Sequence, residues 1–173
     1  MAENLKTTRY ANGDIVPNVT DDMQWSNLTT GAWCYYDNDI KYDKIYGKLY
    51  NWYSVSDSRN VCPIGWHVPT FEEWGNLIDY LGGMELAGKS MKHLSGWPNN
   101  SNGTNSSGFS GIPGGYRNKS STFVSIDISG SWLSSTELNY YSAYPCFLNM
   151  LTDFAYRNNT SKCSGQYIRC LKN

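Results

Sequence analysis

The chain has 173 residues, 14 Lys and Arg against 15 Asp and Glu, and a formal net charge of −1. That balance leaves no basic footprint for nucleic acid, and no apolar run approaches the roughly 20 residues of a membrane span. With 16 Gly, 14 Tyr and 7 Trp, the composition predicts a turn-rich fold of short elements in a single domain, 1–173, that buries roughly two-thirds of its unfolded surface. Five cysteines allow at most two internal bridges and leave one free thiol. Met1-Ala2-Glu3-Asn4-Leu5 has neither a basic nor an apolar leader pattern, so a secretory signal would have to precede it.

Tyr10-Ala11-Asn12-Gly13-Asp14 predicts an Asn-Gly turn. Asn18-Val19-Thr20 and Asn27-Leu28-Thr29 fit the glycosylation sequon, a pattern that is common by chance in an Asn-rich chain. Trp33-Cys34-Tyr35-Tyr36 reads as a buried strand. Asp37-Asn38-Asp39 reads as a turn, because the spacing lacks the Gly and distal Glu of a calcium loop. In Tyr46–Val55, Leu49, Trp52 and Tyr53 fall at i, i+3 and i+4, which predicts a short helix with an aromatic core face.

The clearest helical signal follows. Thr70-Phe71-Glu72-Glu73 spells a capping box, Trp74, Leu77, Ile78 and Leu81 continue at helical spacing, and Gly82-Gly83 closes the run. The spacing predicts a helix over 70–81. Glu72 and Glu73 complement its positive start and do not read as a catalytic pair. His67 has no second histidine nearby and reads as structural. From Gly96 to Gly108 the composition falls to Asn, Ser, Gly and Thr, a surface loop. Gly114-Gly115 suggests a bulge or close backbone approach, and Thr122–Ile128 alternates like a half-buried strand.

The remaining stretch differs. Ser131–Glu137 and Gly165–Cys170 look ordered, but from Leu138 to Ser164 neither a period of 3.6 nor one of 2 persists. Tyr140, Tyr141, Tyr144 and Tyr156 sit there among Asn139, Ser142, Asn149, Asn158, Asn159 and Ser161, with only Asp153, Arg157 and Lys162 charged. Rigid amphipathic rings among small hydrogen-bonding groups are what antibody-like contact surfaces use, and the aromatic content argues against disorder.

Taken together, Tyr46–Tyr53, Cys62-Pro-Ile-Gly-Trp-His-Val-Pro-Thr70, Glu73-Trp74, Leu81-Gly-Gly83, Gly108-Phe-Ser110, Pro113-Gly-Gly-Tyr-Arg117, Ser134-Ser-Thr-Glu137 and Ile168-Arg-Cys170 resemble the Fibrobacter major paralogous domain along the whole chain. The family's usual N-terminal strand is missing ahead of Met1. The family is similar in turn to the formylglycine-generating-enzyme branch of the C-type lectin fold. The resemblance therefore implies an α+β, C-type lectin-like fold: a twisted, mostly antiparallel sheet with two helices and long surface loops. Because Cys62 and Cys170 both sit inside family motifs, it also implies a bridge between them and hence an oxidising setting.

Two departures from those relatives shape the functional expectation. The oxidases use a reactive cysteine pair before the last strand, and here only the widely spaced Cys146 and Cys163 lie in that region. Neither Glu-Pro-Asn nor Gln-Pro-Asp, the calcium motifs of sugar-binding lectins, occurs. The expectation is a protein that is not an enzyme and has no cofactor and no metal site. The same fold branch holds the variable proteins of diversity-generating retroelements, whose last coding segment is rewritten at adenines. Asn codons ending in C can then become Tyr, Ser, Asp, Thr, Cys, Phe, Leu or Pro among others; Met150, Lys162 and Gln166 lie outside that set.

The leading expectation is a ligand-binding variable protein with its variable region at 131–168. Its expected contacts are Leu138, Asn139, Tyr140, Tyr141, Tyr144, Pro145, Cys146, Phe147, Asn149, Tyr156 and Asn158, with the aromatic ones and Asn149 directed outward on one face. The expected partner is a protein or cell-surface ligand and not nucleic acid, met at a cell surface or on a virus particle, with no membrane span in this chain. The alternatives are an exported adhesion domain without diversification and, lowest, an oxidase of the formylglycine-generating type. Trp52, Trp66, Trp74, Leu77, Ile78, Trp132 and Ile168 are the expected core.

Overall fold

Short elements fill the first half of the chain in the computed structural model, which describes residues 1–173. They are α1 (Asp22–Ser26), β1 (Trp33–Cys34), α2 (Asp43–Tyr46), β2 (Leu49–Tyr50), α3 (Trp52–Val55), β3 (Trp66–His67), α4 (Phe71–Tyr80) and α5 (Met84–Met91). The second half is strand-rich: β4 (Gly114–Arg117), β5 (Phe123–Ile126), β6 (Ser129–Asn139), β7 (Ser142–Asn149), β8 (Ala155–Arg157), β9 (Thr160–Ser161) and β10 (Leu171–Lys172). The main sheet runs β5-β4-β6-β7-β8, with β9 also paired to β7, while β1-β2 and β3-β10 form two small ribbons. Only β4 and β6 pair in parallel. The architecture is α+β.

Local chemistry sets the clearest boundaries. At the start of α4 the Glu73 amide donates to the Thr70 hydroxyl at 3.1 Å, and the Thr70 amide donates back to the Glu73 carboxylate at 2.8 Å. Both halves of the capping box are made. Gly82 and Gly83, at φ 101° and 91°, end the helix in a conformation that side chains with a Cβ rarely adopt.

α5 then starts at once, an element the periodicity did not predict. Its buried face is Ala87, Gly88 and Met91, too small to print an apolar stripe. A Cβ on Gly88 would collide with the backbone of Asp153 and Phe154, so glycine is what lets α5 close against the approach to β8.

Elsewhere the structure redraws the expected bounds. Tyr46–Val55 is not one helix: Leu49 and Tyr50 are extended, and only Trp52–Val55 turns. Asn51 explains the break, since its side chain accepts from the Ser54 amide at 3.2 Å and from the Ala32 amide at 3.0 Å while donating to the Thr30 carbonyl. An Asn so engaged starts a helix and does not continue one. The strand expected over Trp33–Tyr36 stops at Cys34. Tyr36 opens the expected turn, with Asp37 and Asn38 at φ 50° and 54°. Gly114 does mark a close approach, as a Cβ there would lie 2.6 Å from the Tyr167 hydroxyl oxygen.

Two apolar clusters flank the sheet. One joins Trp25, Leu49, Trp74, Ile78, Met91, Trp132, Cys146, Leu148 and Tyr167. The other joins Trp33, Tyr50, Trp52, Val68, Leu133, Ala143 and Ile168. Consecutive residues of β6, Trp132 and Leu133, feed one cluster each, as the period of 2 demands. Of the expected core, Trp66 and Leu77 are only half-buried at the cluster margins.

Cys62 and Cys170 are bonded, with Cα atoms 6.0 Å apart across 108 residues of sequence. Two buried guanidiniums tie loops to the sheet. Arg117 donates to the carbonyls of Val19, Thr20 and Ser121 and meets Asp22 at 2.6 Å. Arg169 donates to Asn4 Oδ1 and to the carbonyls of Phe109 and Ser110. No helix is long and apolar enough to cross a membrane.

Candidate ligand-contact surface

The unpatterned stretch is a sheet. β6 and β7 form a long hairpin whose register pairs Ser131 with Phe147, Trp132 with Cys146 and Leu133 with Pro145, with bulges between Leu133 and Asn139. β8 continues it, pairing Cys146 with Arg157 and Phe147 with Tyr156. Alternation along β7 is hidden because both faces are covered in places, so buried residues follow one another at Pro145 and Cys146.

Cross-strand partners share a face, which assigns each expected contact. Tyr144, Cys146 and Leu148 lie on the face toward α4 and α5. Pro145, Phe147, Asn149 and Tyr156 lie on the other. Tyr140 and Tyr141 occupy the hairpin tip.

Several expectations are thereby corrected. Cys146 is fully buried in the first cluster, and burial pushes its thiol up to about 12, so it is a core residue and not a contact. Pro145 is buried opposite Leu133. Tyr144 is half-buried, its ring 4.4 Å from Phe71 at the start of α4. Tyr156 is half-buried between Phe147, at 6.4 Å, and Phe154, at 5.4 Å. Asn139 accepts from the amides of Tyr141 and Ser142, and Asn149 accepts from those of Leu151 and Thr152. Both asparagines therefore shape turns.

What remains outward is an apex and a flank. Tyr140 and Tyr141 are 77% and 74% exposed, with ring centroids 4.8 Å apart in an edge-to-face pair. Leu138 is exposed beside them, and Asn158 is exposed at the far edge of the sheet. Phe147 and Tyr156 form a half-buried flank on the face turned away from α4 and α5.

The base of the apex is braced. Buried Lys162 meets Glu137 at 3.0 Å and lies 4.4 Å above the Trp52 ring. Phe147 and Pro145 also wall a cavity that reaches Ser131 and Gln166. The sequence reading assigns neither of those two polar residues to a site.

The other chemistry-bearing groups are built into the scaffold. His67 Nε2 lies 2.9 Å from the Glu73 carboxylate and Nδ1 lies 2.7 Å from the Asn173 side-chain oxygen. Those two partners, Asn173 first, raise the imidazole pKa above its ordinary value. Burial pushes the Cys34 thiol up to about 12, far from a nucleophile's range. Cys163 is half-buried and its thiol donates to the Leu28 carbonyl. No three His, Cys, Asp or Glu residues gather where a metal ion would need them.

An α+β scaffold that carries an aromatic, amide-rich hairpin defines the class of molecule. The family model of the Fibrobacter succinogenes major domain matches residues 1–172, and the chain belongs to that family. No curated protein and no solved structure matches it.

Proposed function

We propose that this protein is a ligand-binding module: a C-type lectin-like scaffold displaying a diversified contact surface, as in the variable proteins of diversity-generating retroelements. The observation that carries the reading is the Tyr140–Tyr141 pair, two large rings held in contact with each other and nearly free of the rest of the protein. Exposed rings grouped on a braced tip suit a contact, since a few tyrosines can supply most of an interface's energy. The flank of Phe147, Tyr156 and Asn158 extends the same surface chemistry, and the protein or cell-surface partner expected for it has no catalytic demand to make. Burial of the Cys34 and Cys146 thiols supports a binding role over an oxidase one.

A second reading, an exported adhesion domain with a fixed surface, draws on the Cys62–Cys170 bond, which suits an oxidising setting such as a cell surface. The DNA around the gene separates the two. Diversification predicts a reverse transcriptase gene and an imperfect copy of the 3′ coding segment that differs from it at adenines. A locus lacking both assigns the protein to the second reading.

A further inference from the structure

Five cationic side chains are buried in this fold, those of Lys48, Lys92, Arg117, Lys162 and Arg169. Four of them meet a carboxylate: Lys48 with Asp43 at 2.9 Å, Lys92 with Asp153 at 3.4 Å, Arg117 with Asp22 at 2.6 Å and Lys162 with Glu137 at 3.0 Å. Arg169 meets none. Its N–H groups donate to Asn4 Oδ1 and to the carbonyls of Met1, Phe109 and Ser110, all of them neutral. Burial pushes the guanidinium down to about 10, opposed only by the charge of Glu3. A buried charge without a counter-charge is costly, and the other four show how this fold meets that cost when it can.

Arg169 lines a cavity of about 360 Å³ whose walls carry three more basic side chains, Lys6, Lys44 and His93. Lys44 is exposed and pairs with no carboxylate. Lys6 makes only long contacts, 3.4 Å to Glu3 Oε2 and 3.3 Å to the Lys44 carbonyl. Ser95 engages His93 through Nδ1 alone, which leaves Nε2 open. Glu3 is the one acid on the walls. Three fixed cations, Lys6, Lys44 and Arg169, against that single carboxylate leave two positive charges unanswered.

Charge and size then select the ligand. A phosphate monoester carries about −1.5 to −2 charges at neutral pH, which matches the excess, whereas a carboxylate carries one. The volume falls within the roughly 300–1,000 Å³ of pockets that enclose a small molecule, so a phosphate group leaves room for a body. Ile45 and Ile112 give that body an apolar side, and Ser110 a polar one. The Ser110 hydroxyl accepts from Asn105 Nδ2 at 2.9 Å and keeps its own hydrogen to donate.

We propose that this cavity binds a small phosphate monoester of sugar-phosphate size. The ammonium groups of Lys6 and Lys44, with His93 Nε2 beside them, hold the phosphate oxygens. Arg169 adds its charge from beneath without touching them, and the Ser110 hydroxyl donates to a hydroxyl of the ligand's body. The site shares no residue with the β6–β7 hairpin and stands or falls apart from the contact-surface reading.

Isothermal titration of the purified protein with ribose 5-phosphate at low salt tests the site. The expected result is one saturable site with a Kd of about 1 mM. Lys6→Gln and Lys44→Gln each weaken binding about fivefold, since each removes a charged donor that the fold does not need. Glu3→Gln tightens it about threefold by removing the opposing charge, a gain that a merely structural role would not produce. Inorganic phosphate binds at least about threefold more weakly for want of the body, and ribose and acetate give no saturable signal. All three variants change exposed side chains, so their melting temperatures without ligand stay at the parent value. Absence of binding, unchanged affinity in both lysine variants, weaker binding in Glu3→Gln, or equal affinity for inorganic phosphate would each overturn the proposal.

Discussion

Replacing Cys62 and Cys170 together by alanine lowers stability by about 5 kcal/mol, the largest single effect expected in the molecule. The bond closes a loop of 108 residues, and the entropy that such a cross-link removes from the unfolded chain amounts to about 5 kcal/mol. Position adds to length. Cys170 directly precedes β10, which pairs with β3 just after Cys62, and both cysteines are buried within the second apolar cluster. At roughly 2–4 °C per kcal/mol for a domain of this size, the melting temperature falls by about 10–20 °C. Urea denaturation of the double variant beside the parent measures it, and coincident midpoints would contradict the assignment.

Trp132→Ala costs about 3–5 kcal/mol, the range for emptying a large core site. Trp132 is fully buried, meets Phe109 edge-on at 5.0 Å, and sits on the sheet face that α4 covers. Its indole N–H donates to Asn4 Oδ1 at 2.8 Å, the oxygen that also receives Arg169 Nε at 2.6 Å. The alanine variant therefore opens a cavity and weakens the network that pins the first residues to the last strand region. Trp132→Phe keeps much of the ring and loses the hydrogen bond, so it should cost less, about 1–3 kcal/mol. Equal losses in the two variants would show that volume does not matter at this site, contrary to the packing described.

How far the sequence spoke depended on the range of the physics involved. The capping box at Thr70–Glu73 and the turn at Asp37–Asn38 are decided by groups within three or four residues of one another, and both were legible. The Cys62–Cys170 bond came through the family motifs around each cysteine. β7 was not legible, because its two faces are covered by different partners and the alternation of a one-sided strand is lost. α5 was hidden by Gly88, a poor helix former kept for the space it leaves beside Asp153.

For the expected contact surface, composition singled out the 138–164 stretch and could not say which way each residue faces. That is settled by register, where one step separates core Cys146 from the flank residue Phe147.

The central claim is that display and folding are carried by different residues of the same β6–β8 region. Randomising Leu138, Tyr140, Tyr141 and Asn158 together, and sorting the library for protease resistance, tests this most directly. Asn139 and Asn149 stay fixed because they hold the turns. The account predicts that most members remain as resistant as the parent, while a matched library at Trp132, Cys146, Leu148 and Ala155 yields few survivors. Equal survival in the two libraries, or survival in the first only of sequences close to the parent, would contradict it.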